Sequence, residues 1–546
     1  MRTHLIGLGV LFLLASTACS AEQFASGDAG GPGDDAGNVP PNNGGSGDDA
    51  GSDAGAGSDA ALPPGCDETK LPTDDACVVN DAAGVFVSSS MGSATGDGTK
   101  AKPLASLDAA IAAAKAAHKR VYACADTYAE QIHLADGVDV FGYFACSSSW
   151  AIVQTAHAKV LAPASPAAIA TNISDATRVE AVDLVAPDFT DESQSSIALV
   201  ADHSPALTIK SATIHAGTGG KGDDGTNGVQ LSNGSGIDGT NSWADGVCTG
   251  NCTLALLADT KSAAGGTNAC VGATGHDGGD GGNGGTGGEF QSQFFINGYI
   301  WNSTGLNTAV GSPTSPTTET AQGGGLGVGG STGSPGADGT DGPSGVDFGN
   351  LSAAGYVAAD GLNGTDGAPG QGGGGSGGAN WLAQDYPAGN YAGYYAWGEP
   401  GAGGGAGGCP GLAGTAGKGG GASIAVVAVE SPLTLDTVVV VTSAGGAGGT
   451  AGVAGTPTSG GIGGKPVKHT IGAGNGGAGG KAGVSGNGGG GPSIGIAYQG
   501  TAPTELATTV TAGVGGAGVA SRVGNDGKTI PASMSGRSAN VYAWGL

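Results

Sequence analysis

A segment that recurs three times constrains the fold of this chain more than any other feature. It is clearest at residues 424–449, IAVVAVESPLTLDTVVVVTSAGGAGG, and it recurs from Ile197 and, in a less regular form, from Ile494. Each copy has an apolar run, a proline, a second run in which apolar and polar residues alternate, and then a glycine-rich stretch. Repeats that are too small to bury their own apolar face are typical of solenoids, in which neighbouring repeats stack.

The alternating part of each copy predicts a short β-strand. In residues 207–210 (LTIK) and 433–436 (LTLD), apolar and polar side chains alternate, so one face turns inward and the other meets solvent. Such strands gain partners and bury their apolar face only by stacking in parallel. Residues 159–161, 178–185 and 197–200 are candidates for further strands of the same kind. The sequence therefore predicts an all-β fold built of stacked short strands.

Composition excludes one class of partner. The 546 residues include 116 glycines and only 19 Lys and Arg residues, and the formal net charge is -27. Binding to nucleic acid requires cationic side chains that neutralise phosphates, so we expect no nucleic-acid partner. An acidic balance of this kind is typical of a solvated secreted surface, with binding of divalent cations as the alternative.

The N-terminus predicts export. Residues 1–19 have the form of a bacterial secretory signal, with Arg2 ahead of an apolar run and small residues before Cys19. Cys19 directly after Ala18 resembles the lipobox of bacterial lipoproteins, although Ser16 stands where Leu is usual. We expect lipidation of Cys19 and anchoring at the outer membrane or cell surface, with cleavage and secretion as the alternative. Residues 20–64, rich in Gly, Asp and Ala, are predicted to be a disordered acidic tether.

The remaining eight cysteines favour disulfides, because their number is even and the compartment is oxidising. Proximity in the sequence pairs Cys66 with Cys77, in a short segment at 65–84, and Cys124 with Cys146. Metal binding by thiolates is the alternative. Several pairings stay open for the other four: Cys248, Cys252, Cys270 and Cys409.

Residues 85–217 carry a family resemblance. A strand at 85–87 and a Gly-rich turn at 96–99 precede the motif PLASLDAA at 103–110, which predicts a helix with Ser106 as its N-cap. A strand at 121–124 and the motif TYAE at 127–130 follow. This order resembles the entrance of right-handed parallel β-helix proteins of the pectin-lyase-like superfamily, and the resemblance returns at residues 422–546. It implies a β-helix whose N-terminal end is covered by a capping helix.

Residues 218–421 form a glycine-rich insertion between the first and second copies. Glycine recurs at every third position in 333–345 and again in 361–370. Three hypotheses follow: disorder, extended polyproline-II-like segments packed side by side as in polyglycine II, or loops stabilised by Ca2+. The calcium hypothesis is the only cofactor prediction, and it names four candidate ligands: Asp223, Asp224, Asp277 and Asp280.

Aromatic residues interrupt the insertion. Exposed rings can stack on sugars, which makes Trp381, Tyr391, Tyr394 and Trp397 candidate glycan contacts, whereas packing under the glycine-rich loops is the alternative. No catalytic residue is predicted. Residues 491–495 match G-x-S-x-G by chance, since they open a strand, and Arg178, Glu180 and Asp183 are expected to be paired surface charges.

These features favour a non-enzymatic cell-envelope lipoprotein whose β-helix serves structure, adhesion or glycan contact. The alternative is a carbohydrate-active enzyme, either a polysaccharide lyase or a glycoside hydrolase, which follows from the superfamily resemblance alone.

Overall fold

The structure is a computed structural model that describes residues 64–190, 192–231, 236–241, 263–272, 274–285, 289–291, 300–302, 329–380, 398–466 and 471–545. Within these ranges the regular structure is mostly β, with one α-helix, α1 (Leu107–Ala117). No helix in this part of the chain has the length and apolar character needed to cross a membrane. The predicted signal, Cys19 and the tether up to residue 63 lie outside the described residues.

Three parallel sheets, A, B and C, form the body of the protein. After β1, the chain adds one strand to sheet A, one to sheet B and one to sheet C, and then repeats this order; we call each such set of three strands a rung. The rungs, in chain order after β1 (Gly84–Val87), are β2 (Arg120–Cys124), β3 (Thr127–Tyr128) and β4 (Ile132–Leu134); β5 (Val140–Ala145, with β6, Ala151–Ile152, paired to it), β7 (Ala158–Leu161) and β8 (Ala168–Thr171); β9 (Thr177–Glu180), β10 (Val182–Val185) and β11 (Ser196–Asp202).

The later rungs carry insertions between their strands of sheets B and C. Short antiparallel pairs lie within these insertions. In chain order the remaining strands are β12 (Leu207–Lys210), β13 (Thr213–Ala216), β14 (Glu289–Gln291), β15 (Ile300–Asn302), β16 (Asn350–Ser352), β17 (Gly355–Val357), β18 (Ala379–Asn380), β19 (Gly398–Glu399) and β20 (Ser423–Val429); β21 (Thr434–Asp436), β22 (Val439–Thr442) and β23 (Ser493–Gln499); β24 (Thr504–Leu506), β25 (Thr509–Thr511), β26 (Arg522–Val523), β27 (Thr529–Ile530) and β28 (Ser538–Ala543).

The three sequence copies stack on one another in register. Ile197 of β11 pairs with Ile424 of β20, which in turn pairs with Ile494 of β23. In sheet A, Lys210 lies beside Asp436. The structure thus confirms an all-β fold of stacked parallel strands, an arrangement compatible with a β-helix.

The N-terminal end of the stack is covered by α1. The Ser106 side chain accepts a hydrogen bond from the Ala109 N–H, which confirms the predicted N-cap, and Glu130 accepts from the Leu107 N–H. Leu107 and Ile111 are buried in the same apolar cluster as the inward-facing residues of the sheets. The helix therefore shields the first strand edges, which would otherwise expose unpaired backbone groups.

The opposite end of the stack is protected by polarity. One inward-facing column of sheet A continues through Ile209 and Leu435, both fully buried, and ends at Glu505 on the last rung. A carboxylate in place of the next apolar residue keeps the terminal strands soluble, as the outer faces of terminal repeats require.

The glycine-rich insertions leave the stack at one corner. Three successive rungs carry insertions between their sheet B and sheet C strands, at residues 217–422, 443–492 and 512–537. Extended segments of these insertions lie side by side in what we call the glycine-rich array, made of residues 217–241, 263–285, 329–345, 359–376, 398–421, 445–466 and 471–491 where they are described.

Hydrogen bonds in the array repeat every three residues. Gly219, Gly222 and Gly225 donate their N–H groups to the carbonyls of Ala444, Ala447 and Thr450, at 2.7 to 2.9 Å. A period of three is that of an extended polyproline-II-like chain, in which every third residue faces the same neighbour. The described part of the insertion therefore shows the pattern that the hypothesis of packed extended segments predicts.

The segment 398–421 lies at the centre of the array. Its N–H groups donate to backbone carbonyls of the segments 217–241, 263–285 and 471–491, and its carbonyls accept from backbone N–H groups of 263–285, 359–376 and 445–466. Neighbours on so many sides leave little room for side chains, and a Cβ atom added to Gly417 would lie 2.1 Å from the Gly449 carbonyl oxygen. This crowding explains why residues 401–408 read GAGGGAGG.

We predict that Gly417→Ala destabilises the protein by about 1 to 3 kcal/mol, because the added methyl group forces neighbouring backbone apart. Chemical denaturation followed by circular dichroism measures the effect. Gly472→Ala is the matched control, since its Cβ would meet nothing closer than 3.5 Å. Equal stability of the two variants would contradict the packing argument.

We also predict that Glu505→Leu promotes self-association through the exposed end of the sheets, because it extends the apolar column to solvent next to unpaired strand edges. Light scattering coupled to size-exclusion chromatography reports the change in mass. Glu505→Gln, which keeps a polar side chain, should stay at the mass of the natural protein.

Candidate functional site

Rows of polar side chains join the segments of the array. Asp224, Asn227 and Gln230 stand at every third position, and their side-chain oxygens accept hydrogen bonds from backbone N–H groups of the segment 445–466. Asp238 and Asn241 continue the row at 2.6 and 2.7 Å. Other N–H groups of the same segment, such as those of Gly452 and Gly455, donate to carbonyls of residues 398–421, so the side chains of this row satisfy further backbone donors between them.

Two more rows repeat this arrangement elsewhere in the array. Asp338 and Asp341 accept from the N–H groups of Lys481 and Val484, at 2.7 and 2.9 Å. On the segment 359–376, residues Asp360, Asn363 and Asp366 accept from Gly419, Ala416 and Ala413. The sequence analysis did not predict that these side chains bind backbone N–H groups. The signal for them is a repeated triplet, Gly-x-Asp, Gly-x-Asn or Gly-x-Gln, in which the polar residue keeps a fixed distance from the glycine.

Of the four predicted calcium ligands, one belongs to these rows. Asp224 belongs to the first row, and Asp277 accepts a hydrogen bond from the Cys270 N–H at 2.7 Å. The Asp223 carbonyl accepts from the Lys418 N–H, and burial raises the pKa of the Asp280 carboxyl. Among the described residues, no three or more His, Cys, Asp or Glu side chains form a group that could hold a metal ion. The structure does not bring the four aspartates together as a calcium site.

Disulfide bonds occur both near the N-terminal end of the stacked sheets and within the glycine-rich array. The two pairs predicted from proximity, Cys66–Cys77 and Cys124–Cys146, are present. A third bond joins Cys270 to Cys409 across 139 residues, which links the central segment of the array to its neighbour. Buried Leu231 and Leu412 pack around this bond. Cys248 and Cys252 lie outside the described residues.

Charged side chains converge on the outer face of sheet A. Arg178 donates from Nε to Glu180 Oε2 at 2.8 Å, and on the adjacent rungs Lys210 Nζ lies 3.1 Å from Asp436 Oδ2. All four side chains are at least two-thirds buried, and Glu180 is the most buried. We call these four residues, with Arg120 and Asp139 on the earlier rungs, the charged row.

The electrostatics of the charged row vary along its length. The hydrogen bond from Lys210 lowers the pKa of the Asp436 carboxyl. Burial raises the pKa of the Asp139 carboxyl, although the Arg178 N–H and the Arg120 guanidinium act in the opposite direction. Burial also raises the pKa of the Tyr143 phenol, whose hydroxyl makes no hydrogen bond to any of the described residues and whose electrostatic neighbours include Glu180 and Arg178.

The sequence predicted only part of this row. Arg178 and Glu180 are paired as expected, but Asp183 lies in sheet B, where it contacts His157 at 2.9 Å and accepts from the Thr213 N–H. The Lys210–Asp436 pair joins residues from different copies of the repeat. An alignment of residues 207–210 (LTIK) with residues 433–436 (LTLD) predicts this ion pair, because equivalent positions of stacked copies are neighbours.

The remaining candidate residues lie at the start of a strand or outside the described residues. Residues 491–495 lead into β23, so the G-x-S-x-G match lies at the start of a strand and not at a strand-turn-helix elbow. Trp381, Tyr391, Tyr394 and Trp397 lie outside the described residues. The residues that flank them form the antiparallel pair β18–β19. Since residue 421 leads almost directly into β20, this pair stands at the end of the array that is remote from the sheets.

Comparison with known proteins gives no relative: no protein-family model, curated protein or solved structure matches the chain.

We predict that Asp224 stabilises the array in a pH-dependent way. Hydrogen bonds from Lys221 and Thr450 lower the pKa of its carboxyl from 3.8 to about 2. A lowered pKa in the folded state means that this stabilisation is complete above about pH 3.8 and is lost as the pH falls through about 2. Because half of the side chain is exposed, the contribution should stay below about 1 kcal/mol.

Urea denaturation at pH 2, 4 and 7 tests this prediction. Asp224→Ala should lose stability at pH 4 and 7, and this loss should shrink towards pH 2. Asp224→Asn retains an oxygen that can accept from the Thr450 N–H but cannot ionise, so its loss at pH 4 and 7 should be smaller than that of Asp224→Ala and should approach zero at pH 2. A constant difference between the natural protein and Asp224→Ala across the range would contradict the assignment.

Proposed function

We propose that this protein is an exported, non-enzymatic surface lipoprotein that acts as a rigid scaffold for adhesion or glycan contact. The observation that carries this proposal is the glycine-rich array, a body of hydrogen-bonded segments joined by the Cys270–Cys409 disulfide. Its polar rows are occupied in holding backbone together, which is a structural use of those side chains. Three disulfides favour an oxidising compartment outside the cytoplasm.

The finer identification of the fold belongs to the same proposal. We infer a right-handed parallel β-helix of the pectin-lyase-like kind, because the chain adds strands to the three sheets in a fixed order and a helix covers the first rung. Connections between parallel strands are right-handed in most proteins. The array is inferred to be of the polyglycine-II type from its period of three and from the close approach of its backbones.

The array also suggests which part of the molecule makes contact with a partner. A polyproline-II-like segment rises about 3.1 Å per residue, so the central segment spans roughly 70 Å from the sheets to β18–β19. The candidate glycan contacts Trp381, Tyr391, Tyr394 and Trp397 belong to the connection that starts at this remote end. We propose that a lipid on Cys19 anchors the protein and that this connection reaches the partner.

The charged row supports a second candidate, a carbohydrate-active enzyme. Glu180, Arg178 and Lys210 lie on adjacent rungs on the outer face of sheet A, and an acid beside a cation can serve proton transfer during cleavage of a glycan. Their ion pairs with one another and with Asp436 also neutralise charge between stacked strands. Because this structural role accounts for the charged row without catalysis, we rank the scaffold above the enzyme.

A binding assay on immobilised glycans and a polyuronate cleavage assay separate the two candidate functions. The scaffold should bind glycans without cleaving them, and Trp381→Ala with Trp397→Ala should reduce binding at least tenfold while leaving the melting temperature unchanged. Release of unsaturated or reducing sugars that is lost in Glu180→Gln would establish the enzyme instead. For the anchor, the natural protein should partition into detergent in a Triton X-114 separation, whereas Cys19→Ala should remain in the aqueous phase.

A further inference from the structure

We propose that the central segment of the array, residues 398–421, is a tension-bearing link that transmits force from the remote end of the array to sheet C. The inference rests on the proposed adhesive role, since only a protein held at both ends experiences such a force. Its physical basis is independent of what the protein binds.

Hydrogen bonds hold the central segment along its whole length. Its donors reach three different segments, and two further segments donate to its carbonyls. The residues of this segment that donate a backbone N–H to a backbone carbonyl of another segment are Gly401, Gly403, Gly404, Gly405, Ala406, Gly407, Gly408, Gly411, Thr415, Gly417, Lys418, Gly420 and Gly421.

The direction of these bonds determines how they respond to force. They run across the axis of the segment, from one extended chain to the next, so a pull along the axis loads all of them in shear. Bonds in shear must break together, whereas bonds at a free strand edge can break one after another. The segment is thus much harder to slide out than to peel away from one side.

The segment is firmly held at its sheet end and in its middle. At the sheet end it continues into β20, a strand of seven residues that is paired on one side with β11 and on the other with β23. In its middle, Cys409 is bonded to Cys270 of the neighbouring segment. By contrast, β28 at the C-terminus lies at the edge of sheet C and pairs only with β23 among the described strands.

Single-molecule force spectroscopy on the full-length mature chain tests this proposal. One attachment point is the N-terminus, and the second is a short tag inserted between Ala388 and Gly389, in the connection that precedes the central segment. The comparison geometry uses the same tag after Leu546, which pulls on the edge strand β28. Forced rupture is governed by the rate of opening, and we expect a rupture force at least about twofold higher with the inserted tag than with the C-terminal tag.

Equal or lower force with the inserted tag would overturn the proposal. A variant provides a second test: in Gly407→Ala the new Cβ would lie 1.9 Å from the Gly370 carbonyl oxygen, so the force measured with the inserted tag should fall towards the C-terminal value. Gly472→Ala, whose added methyl group would meet nothing closer than 3.5 Å, should leave it unchanged. Hydrogen exchange of residues 401–421 without load shows whether the array is folded in each variant; slow exchange in Gly407→Ala together with an undiminished force would also refute the link.

The outcome is separable from that of the adhesive role. If the protein ruptures at high force but binds no glycan, the mechanical role of the central segment stands and the proposed ligand is wrong. A protein that binds glycan yet yields at the same force in both geometries would lose the link alone.

Discussion

The structure of the array depends on the close approach of one backbone to another, which only glycine permits at this density. Where Gly417 faces the Gly449 carbonyl, even a methyl group has no space, and the same contact recurs on every side of the central segment. Each approach allows an N–H to reach a carbonyl of the next chain. The array therefore replaces a hydrophobic core with a backbone hydrogen-bond network, and the conformational entropy that glycine loses on ordering must be offset by those bonds and by the neighbouring sheets.

The sheets supply the conventional part of the stability. Inward-facing Val, Ile and Leu side chains fill the interior, while a second apolar cluster on the outside of sheet C contains Ile424 and Ile494 together with Leu351 and Trp544. Leu351 lies in the β16–β17 pair of the first insertion, and Trp544 follows the last strand. Arg537 extends this contact, since its guanidinium lies 4.9 Å from the Phe348 ring and 4.5 Å from the Tyr542 ring. The first insertion is thus attached to the sheets by apolar packing as well as by chain continuity.

Much of the stacked body could be predicted from the sequence because its signals are local. Alternation in LTIK and LTLD determines which side chains face inward, and Ser106 marks the start of α1. The contacts of the array could not be predicted in this way, since each depends on which of several similar glycine-rich segments become neighbours. Asp224 illustrates the difficulty: a carboxylate among glycines suggests a cation ligand, whereas its partner is a backbone N–H 226 residues away. The charged row lies between these cases, because the repeat itself specifies that Lys210 and Asp436 meet.

The position of the insertions has a consequence for how this architecture can change. They leave the stack at a single corner, between sheets B and C, so their length is independent of the register of the rungs. Within the array, a pair of neighbouring segments can lengthen by three residues each and still present glycine to glycine and acceptor to donor. Such a protein can extend its reach in steps of one triplet, about 9 Å at a time, without altering any residue of its apolar interior.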